Sequence, residues 1–307
     1  MIGRSGLKPS AAALSRAKAH LGTTVSVCLP ARNEAATIGA IVATVRRAFM
    51  EQCSLVDEIV VMDDRSTDDT AQVARAAGAR VVPVAEVLTD VPAGSGKGNA
   101  LWCSLYVTSG DIICWLDADV SNFQPDFVTR LLEPLLAEAP KPSLAKGYYR
   151  RPLFGDPTGG GRVTELMARP LLSSLFPALS HIVQPLGGEY AGRRTMLESV
   201  PFAAGWGVEL GLLIDIAATF GVESIVQRDL GVREHRNRPL SDLGPQAMEI
   251  LLVGLRRAGI PRSELSATLA RFDEHHDPAL VPVEVRERPP MITIPAYRAK
   301  FGRELTA

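Results

Sequence analysis

The chain has 307 residues, long enough for one large or two modest domains with a substantial core. Hydrophobic residues make up 46% and charged residues 22%, which excludes wholesale disorder. With 33 Lys and Arg against 34 Asp and Glu the net charge is -1, so nucleic acid and anionic membrane are excluded as bulk electrostatic partners, though a local basic pocket is not.

Residues 1–20 are Ala/Ser-rich with scattered basic residues and read as an N-terminal arm or helix. Residues 24–29 form a β-rich run stopped by Pro30, and Ile38, Ile41, Val42, Val45 and Phe49 then follow helical spacing. A second strand is predicted at 58–62, followed by a polar turn and a helix over 69–77 ended by Gly78. A third strand at 80–84 precedes a helix over about 98–109, and a fourth at 111–116 is almost continuously apolar, as in a parallel strand covered on both faces. This alternation predicts an α/β sheet whose polar turns at 30–34, 63–69 and 117–122 converge beyond the strand ends.

The second half reads as a strand at 143–149, helices at 162–176, 207–220 and 240–259, and loops with short strands at 183–194 and 222–235. The tail from about 278 carries five prolines and is expected to wrap the surface or a partner. The division is an arm (1–20), a nucleotide-sugar half (21–140), an acceptor half (141–265) and a tail (266–307), within one continuous unit. Four cysteines lack metal spacing, and the apolar run Leu210–Val222 contains Asp215 and is too short for a bilayer. With no signal-peptide stretch either, the expectation is a cytoplasmic protein with reduced thiols and no membrane span.

Asp117 and Asp119 follow the apolar fourth strand, and residues two apart on extended chain share a side. Both carboxylates can therefore address one hard cation such as Mg²⁺ or Mn²⁺; the alternative is a pair of helix-capping turn residues. Asn33 and Glu34 offer groups for a base or ribose, or else cap the following helix. Residues 92–99 lack the full phosphate-loop pattern, yet Lys97 at a Gly-rich helix start makes an anion site. Gly159-Gly160-Gly161-Arg162-Val163-Thr164 offers free amides and a guanidinium for a phosphate or carboxylate. Gly205-Trp206-Gly207-Val208-Glu209 places a carboxylate after a tight turn, and Arg233-Glu234-His235-Arg236-Asn237-Arg238 flanks an imidazole with guanidiniums.

In their order, Pro30-Ala31-Arg32-Asn33-Glu34, Asp64-Arg65-Ser66-Thr67-Asp68, Gly96-Lys97-Gly98-Asn99-Ala100 and Asp117-Ala118-Asp119 resemble the GT-A nucleotide-sugar glycosyltransferases. With the second-half motifs, the chain resembles the glucosyl-3-phosphoglycerate synthase family over nearly all of residues 24–260. The resemblance implies a GT-A fold, a Rossmann-like mixed sheet flanked by helices, and a homodimer. It implies retaining transfer of glucose from UDP-glucose to the 2-hydroxyl of 3-phosphoglycerate with Mg²⁺ or Mn²⁺, a step that begins methylglucose lipopolysaccharide synthesis in mycobacteria. Residue by residue, it puts Pro30, Ala31, Arg32, Asn33, Glu34, Asp64, Lys97, Asp117 and Ala118 at donor positions, with Arg233 bordering the diphosphate. Asp119 and His235 fall at metal positions, Gly161, Arg162, Val163, Thr164, Asn237 and Arg238 on the acceptor side, and Glu209 near the transferred glucose as the catalytic carboxylate. Ala118 stands where many members have Ser, and Asp64 replaces a smaller polar residue. The rival readings are mannosyl transfer from GDP-mannose, a polyprenyl-phosphate transferase, a nucleotidyltransferase and a non-catalytic nucleotide-sugar-binding protein.

Overall fold

The computed structural model describes residues 2–3, 10–137, 143–152, 156, 159–234 and 239–304. Its first nine strands are β1 (Ile2–Gly3), β2 (Val25–Ala31), β3 (Glu58–Asp63), β4 (Arg80–Pro83), β5 (Ile112–Trp115), β6 (Leu144–Arg150), β7 (Tyr190–Arg193), β8 (Phe202–Ala203) and β9 (Ile225–Val232). Eight of these form one sheet in the order β1-β9-β6-β7-β5-β2-β3-β4. Strands β5, β2, β3 and β4 run parallel, β7 runs antiparallel between β5 and β6, and β9 and β1 are parallel to β6. The sheet is mixed, and its strands come from both halves of the chain.

Alternate residues of β2, β3 and β5 enter different cores. Val27, Leu29, Ile59, Val61, Ile112 and Cys114 pack on one side, while Cys28, Val60, Met62, Ile113 and Trp115 pack on the other. Helices cover both faces, so each strand reads as a continuous apolar run rather than an alternating one. The helix α1 (Ala11–Leu21) occupies much of the expected arm, and α2 (Ala35–Arg46) buries Ile38, Ile41, Val42 and Val45 against the sheet. Helices α3 (Thr70–Ala76), α4 (Lys97–Val107) and α5 (Asp126–Leu132) complete the first half.

Pro30 does not end its strand, contrary to the sequence expectation: β2 continues to Ala31. Its partner β5 extends only as far as Cys28, so Pro30 pairs with Met62 alone and interrupts no ladder on the other side. The tail wraps the chain itself, one of the two expected arrangements. Residues Thr268–Phe272 and Pro278–Pro282 form a hairpin, and Glu287–Arg288 pairs with β8. The Trp102 indole donates to the Pro289 carbonyl at 2.7 Å, and buried Tyr297 donates to Glu198 Oε2 at 2.5 Å. No helix among the described residues is long and apolar enough to cross a membrane.

Candidate active site

The turns after β2, β3 and β5 meet at the carboxyl ends of parallel strands, where an α/β sheet offers an open crevice. The Asp64 amide donates to the Ala31 carbonyl at 2.9 Å, and Asp64 Oδ2 accepts the Gly96 amide at 3.0 Å. These contacts close a cleft of about 260 Å³ lined by Pro30, Ala31, Arg32, Glu34, Asp64, Lys97, Asp117 and Ala118, with Asp119 and Trp206 at one edge. Asn33 belongs to the same turn but does not line the cleft. Its backbone is left-handed (φ 59°), its side-chain oxygen accepts the Thr67 amide at 2.8 Å, and its own amide donates to Ser66 Oγ at 3.0 Å. Asn33 thereby ties the first turn to the second.

The charged centre is built from distant segments. Lys97 opens α4, with its ammonium 2.6 Å from Asp117 Oδ1 and 2.7 Å from Glu209 Oε1. Glu209 is buried in the first turn of the helix Val208–Phe220, where the helix dipole favours negative charge. Arg233, just past β9, reaches Asp117 Oδ2 at 2.8 Å and Asp119 Oδ1 at 2.7 Å through Nη2. Its Nε donates to Glu189 Oε1 at 2.8 Å. Arg233 therefore does not line the first cleft; it clamps the two aspartates from the other side.

Burial would raise the Asp117 carboxyl, but Lys97 and Arg233 outweigh it and hold this group well below the ordinary carboxylate range. Burial likewise pulls Lys97 down, and Asp117 and Glu209 reverse that and push it well above its usual value. Behind them Lys146 is buried on β6, donates to the Gly187 carbonyl, and lies 4.5 Å over the Tyr190 ring. Burial pulls the Lys146 ammonium down to about 8, against the opposing pull of Glu209.

Two glycines make this centre possible. A Cβ on Gly188 would overlap the Asp117 carboxylate, and one on Gly205 would overlap Glu249. Glu249, from the helix Leu240–Arg257, accepts the amides of Trp206 and Gly207 and so pins the turn that delivers Glu209.

A second cleft of about 150 Å³ opens beside the first and is lined by Gly161, Arg162, Val163, Thr164, Arg151, Glu209 and Arg233. The two clefts share Lys97, Asp117, Asp119 and Trp206. Gly161 takes φ 77° immediately before residues 162–163 turn helical, and the helix continues as a π-helical segment, Thr164–Ala168, and then as Arg169–Leu175. His235, Asn237 and Arg238 lie outside the described residues. Lys146, Glu249 and Arg151 fall in none of the sequence motifs, because their importance arises from partners far away in the chain; Glu189 lies in the 188–194 stretch that carries part of the family resemblance, with no role legible there.

Asp119 offers a hard oxygen donor at the junction of the clefts, its side chain 29% exposed. Among the described residues no three His, Cys, Asp or Glu side chains converge as a complete metal cage. Such a partial oxygen set suits Mg²⁺ or Mn²⁺, which commonly take their remaining ligands from substrate phosphates and water.

Residues 26–157 match the glycosyl transferase family 2 profile. Over 292 residues the chain is 47% identical to glucosyl-3-phosphoglycerate synthase of Mycolicibacterium smegmatis, covering 94% of this chain and 95% of that protein. It resembles the crystal structure of glucosyl-3-phosphoglycerate synthase from Mycobacterium tuberculosis in complex with Mn²⁺, UDP-glucose and phosphoglyceric acid. The TM-score is 0.84 at 46% identity, with 95% of this chain and 96% of that chain covered. A structure of the same enzyme with Mg²⁺ and UDP also gives 0.84, at 45% identity, covering 94% and 97%.

Proposed function

The chain belongs to the glucosyl-3-phosphoglycerate synthase family, and on that premise we propose that its two adjoining clefts hold the two substrates of one transfer reaction. The protein transfers glucose from UDP-glucose to 3-phosphoglycerate, giving glucosyl-3-phosphoglycerate. The observation that carries the assignment of sites is the junction of the clefts at Lys97, Asp117, Asp119 and Trp206. A donor in the first cleft and an acceptor in the second would meet there, beside Glu209.

In this reading Pro30, Ala31, Arg32, Glu34 and Asp64 receive the nucleotide, with Asn33 fixing the turn that presents them. Gly161, Arg162, Val163 and Thr164 receive the acceptor phosphate and carboxylate through amides and a guanidinium. By the family resemblance Asn237 and Arg238 would also serve the acceptor. Asp119 and His235 would hold Mg²⁺ or Mn²⁺, which neutralises the diphosphate as a leaving group.

Lys97 and Arg233 place fixed positive charge beside the departing diphosphate, where preorganised charge stabilises the transition state. Glu209 orients the glucose and stabilises positive charge developing at its anomeric carbon. The acceptor hydroxyl attacks from the face the UDP leaves: the carbon–oxygen bond to UDP breaks, the bond to the acceptor forms, and the hydroxyl proton passes to the departing phosphate oxygen. The configuration is thereby retained. The 2.7 Å contact with Lys97 favours an orienting Glu209 over a covalent one.

The functional halves are 21–140 for the donor and 141–265 for the acceptor, and the protein acts as a homodimer. Its compartment is the cytoplasm, consistent with Cys28, Cys53, Cys103 and Cys114 all being free thiols. A matrix of UDP-glucose, GDP-mannose and two further nucleotide sugars against 3-phosphoglycerate tests the reading. The expected product is a retained glucoside from UDP-glucose. Preference for GDP-mannose, an inverted product, or a glucosyl adduct trapped on Glu209 would overturn the corresponding part.

A further inference from the structure

A third cavity, of about 200 Å³, lies next to the donor cleft and shares no lining residue with it. Segment 84–94 and helix α4 form its walls, with Val84, Val87, Leu88, Val91 and Trp102 supplying apolar surface. Two arginines, Arg65 and Arg288, also line it, and no Asp or Glu does.

Arg288 is 9% exposed, and among the described residues no carboxylate pairs with it. Its Nε donates to Asn99 Oδ1 at 2.7 Å and its Nη1 to the Pro92 carbonyl at 2.6 Å, both neutral acceptors. The guanidinium stacks 5.1 Å from the Trp102 ring, and its Nη2 occupies the space a Cβ on Gly94 would fill. A buried cation with only neutral partners is poorly compensated, and an anion would relieve it. The walls are held in uncommon backbone: Arg65 and Leu88 are left-handed at φ 61° and 53° without glycine's freedom.

We propose that this cavity binds a small amphipathic anion, a carboxylate or phosphate group on an apolar body, and that its occupancy weakens donor binding. The head would sit between Arg288 and Arg65, and the body against Val87, Val91 and Trp102. The coupling rests on the assignment of the donor cleft made above. Arg65 also pairs with Asp64 Oδ1, through Nε at 3.1 Å and Nη2 at 3.0 Å, and Asp64 lines the donor cleft. An anion that draws Arg65 away leaves the buried Asp64 carboxylate with the Gly96 amide but no guanidinium, in a cleft that receives an anionic donor.

The test titrates phenyl phosphate, phenylacetate and inorganic phosphate into the full chain by calorimetry, with Arg288→Gln and Val87→Trp as variants whose folding is checked by thermal melting. Val87→Trp fills the cavity while leaving both arginines in place. Expected is binding of an aromatic anion at about 1 mM or tighter, and weakening by about tenfold or more in either folded variant. Phenyl phosphate against phenylacetate distinguishes the head groups, and inorganic phosphate binds more weakly than both. The bound anion raises the KM for UDP-glucose in the wild type and leaves it unchanged in Val87→Trp. Absence of binding in the millimolar range, or equal binding in the wild type and Val87→Trp, overturns the site. Binding without a change in KM overturns the coupling, while intact UDP-glucose turnover in both variants keeps either failure separate from the catalytic reading.

Discussion

Arg233 Nε and Glu189 Oε1 are 2.8 Å apart, and both side chains are sealed from solvent. The pairing aims the remaining face of the guanidinium at Asp117 and Asp119. Glu189 is thus a positioning residue for the junction of the two clefts, although it lines neither of them.

Removing one partner of a buried ion pair costs about 3 kcal/mol when the other is left uncompensated, but Arg233 keeps Asp117 and Asp119. Glu189→Ala should therefore lower the unfolding free energy by a smaller amount, about 1–2 kcal/mol, in urea titrations. Glu189→Gln keeps the shape and should retain more stability, yet reduce kcat by about tenfold or more as Arg233 loses its aim. Unchanged kcat in a folded Glu189→Gln would show that the pair serves stability alone.

Lys146 gives a prediction of opposite sign. Its ammonium is pulled down by burial to about 8, while the unfolded chain titrates near the ordinary lysine value. Between these values the unfolded state binds more protons, so stability should rise with pH from about 8 to about 10.4. Lys146→Met should flatten that rise. Denaturation midpoints across this range provide the check.

Lys97 acts on the acid side. The depressed Asp117 carboxyl contributes stability that is present above the unfolded carboxylate value and lost as pH falls through the lower folded value. Lys97→Met removes a main cause of the depression, so acid unfolding should begin at higher pH. Turnover should fall by about a hundredfold or more through loss of fixed positive charge at the leaving group. An acid-unfolding curve and single-turnover rates on the same variant separate the two effects.

Arg162 lines the second cleft and not the first. Arg162→Ala should raise the KM for 3-phosphoglycerate by about tenfold or more while leaving that for UDP-glucose nearly constant. Equal effects on both would move the acceptor elsewhere.

Much of this centre was legible because strand ends carry their own marks: an apolar run followed by Asp117 and Asp119, or Lys97 after Gly96. The turns after β2, β3 and β5 converge as their order implied. Asn33 was legible as important but not as a tie between turns, since its partners Ser66 and Thr67 lie over 30 residues away. Lys146 and Glu249 have no local pattern, and Glu189, though inside the 188–194 motif, takes its role from Arg233 far along the chain; burial and long-range pairing give all three meaning. The tail was legible as a wrapping segment but not in how it docks, because its prolines mark only irregular chain, whereas the buried contacts of Trp102 and Tyr297 that dock it depend on tertiary structure.

The most direct measurement is kcat/KM for UDP-glucose with 3-phosphoglycerate as acceptor, for the wild type and Asp119→Ala, with metal supplied and with metal chelated. The expected result is Mg²⁺- or Mn²⁺-dependent formation of glucosyl-3-phosphoglycerate by the wild type, abolished by chelation and by the substitution. Near-normal turnover after chelation, or in Asp119→Ala, would contradict a metal-assisted transfer centred on the junction of the two clefts.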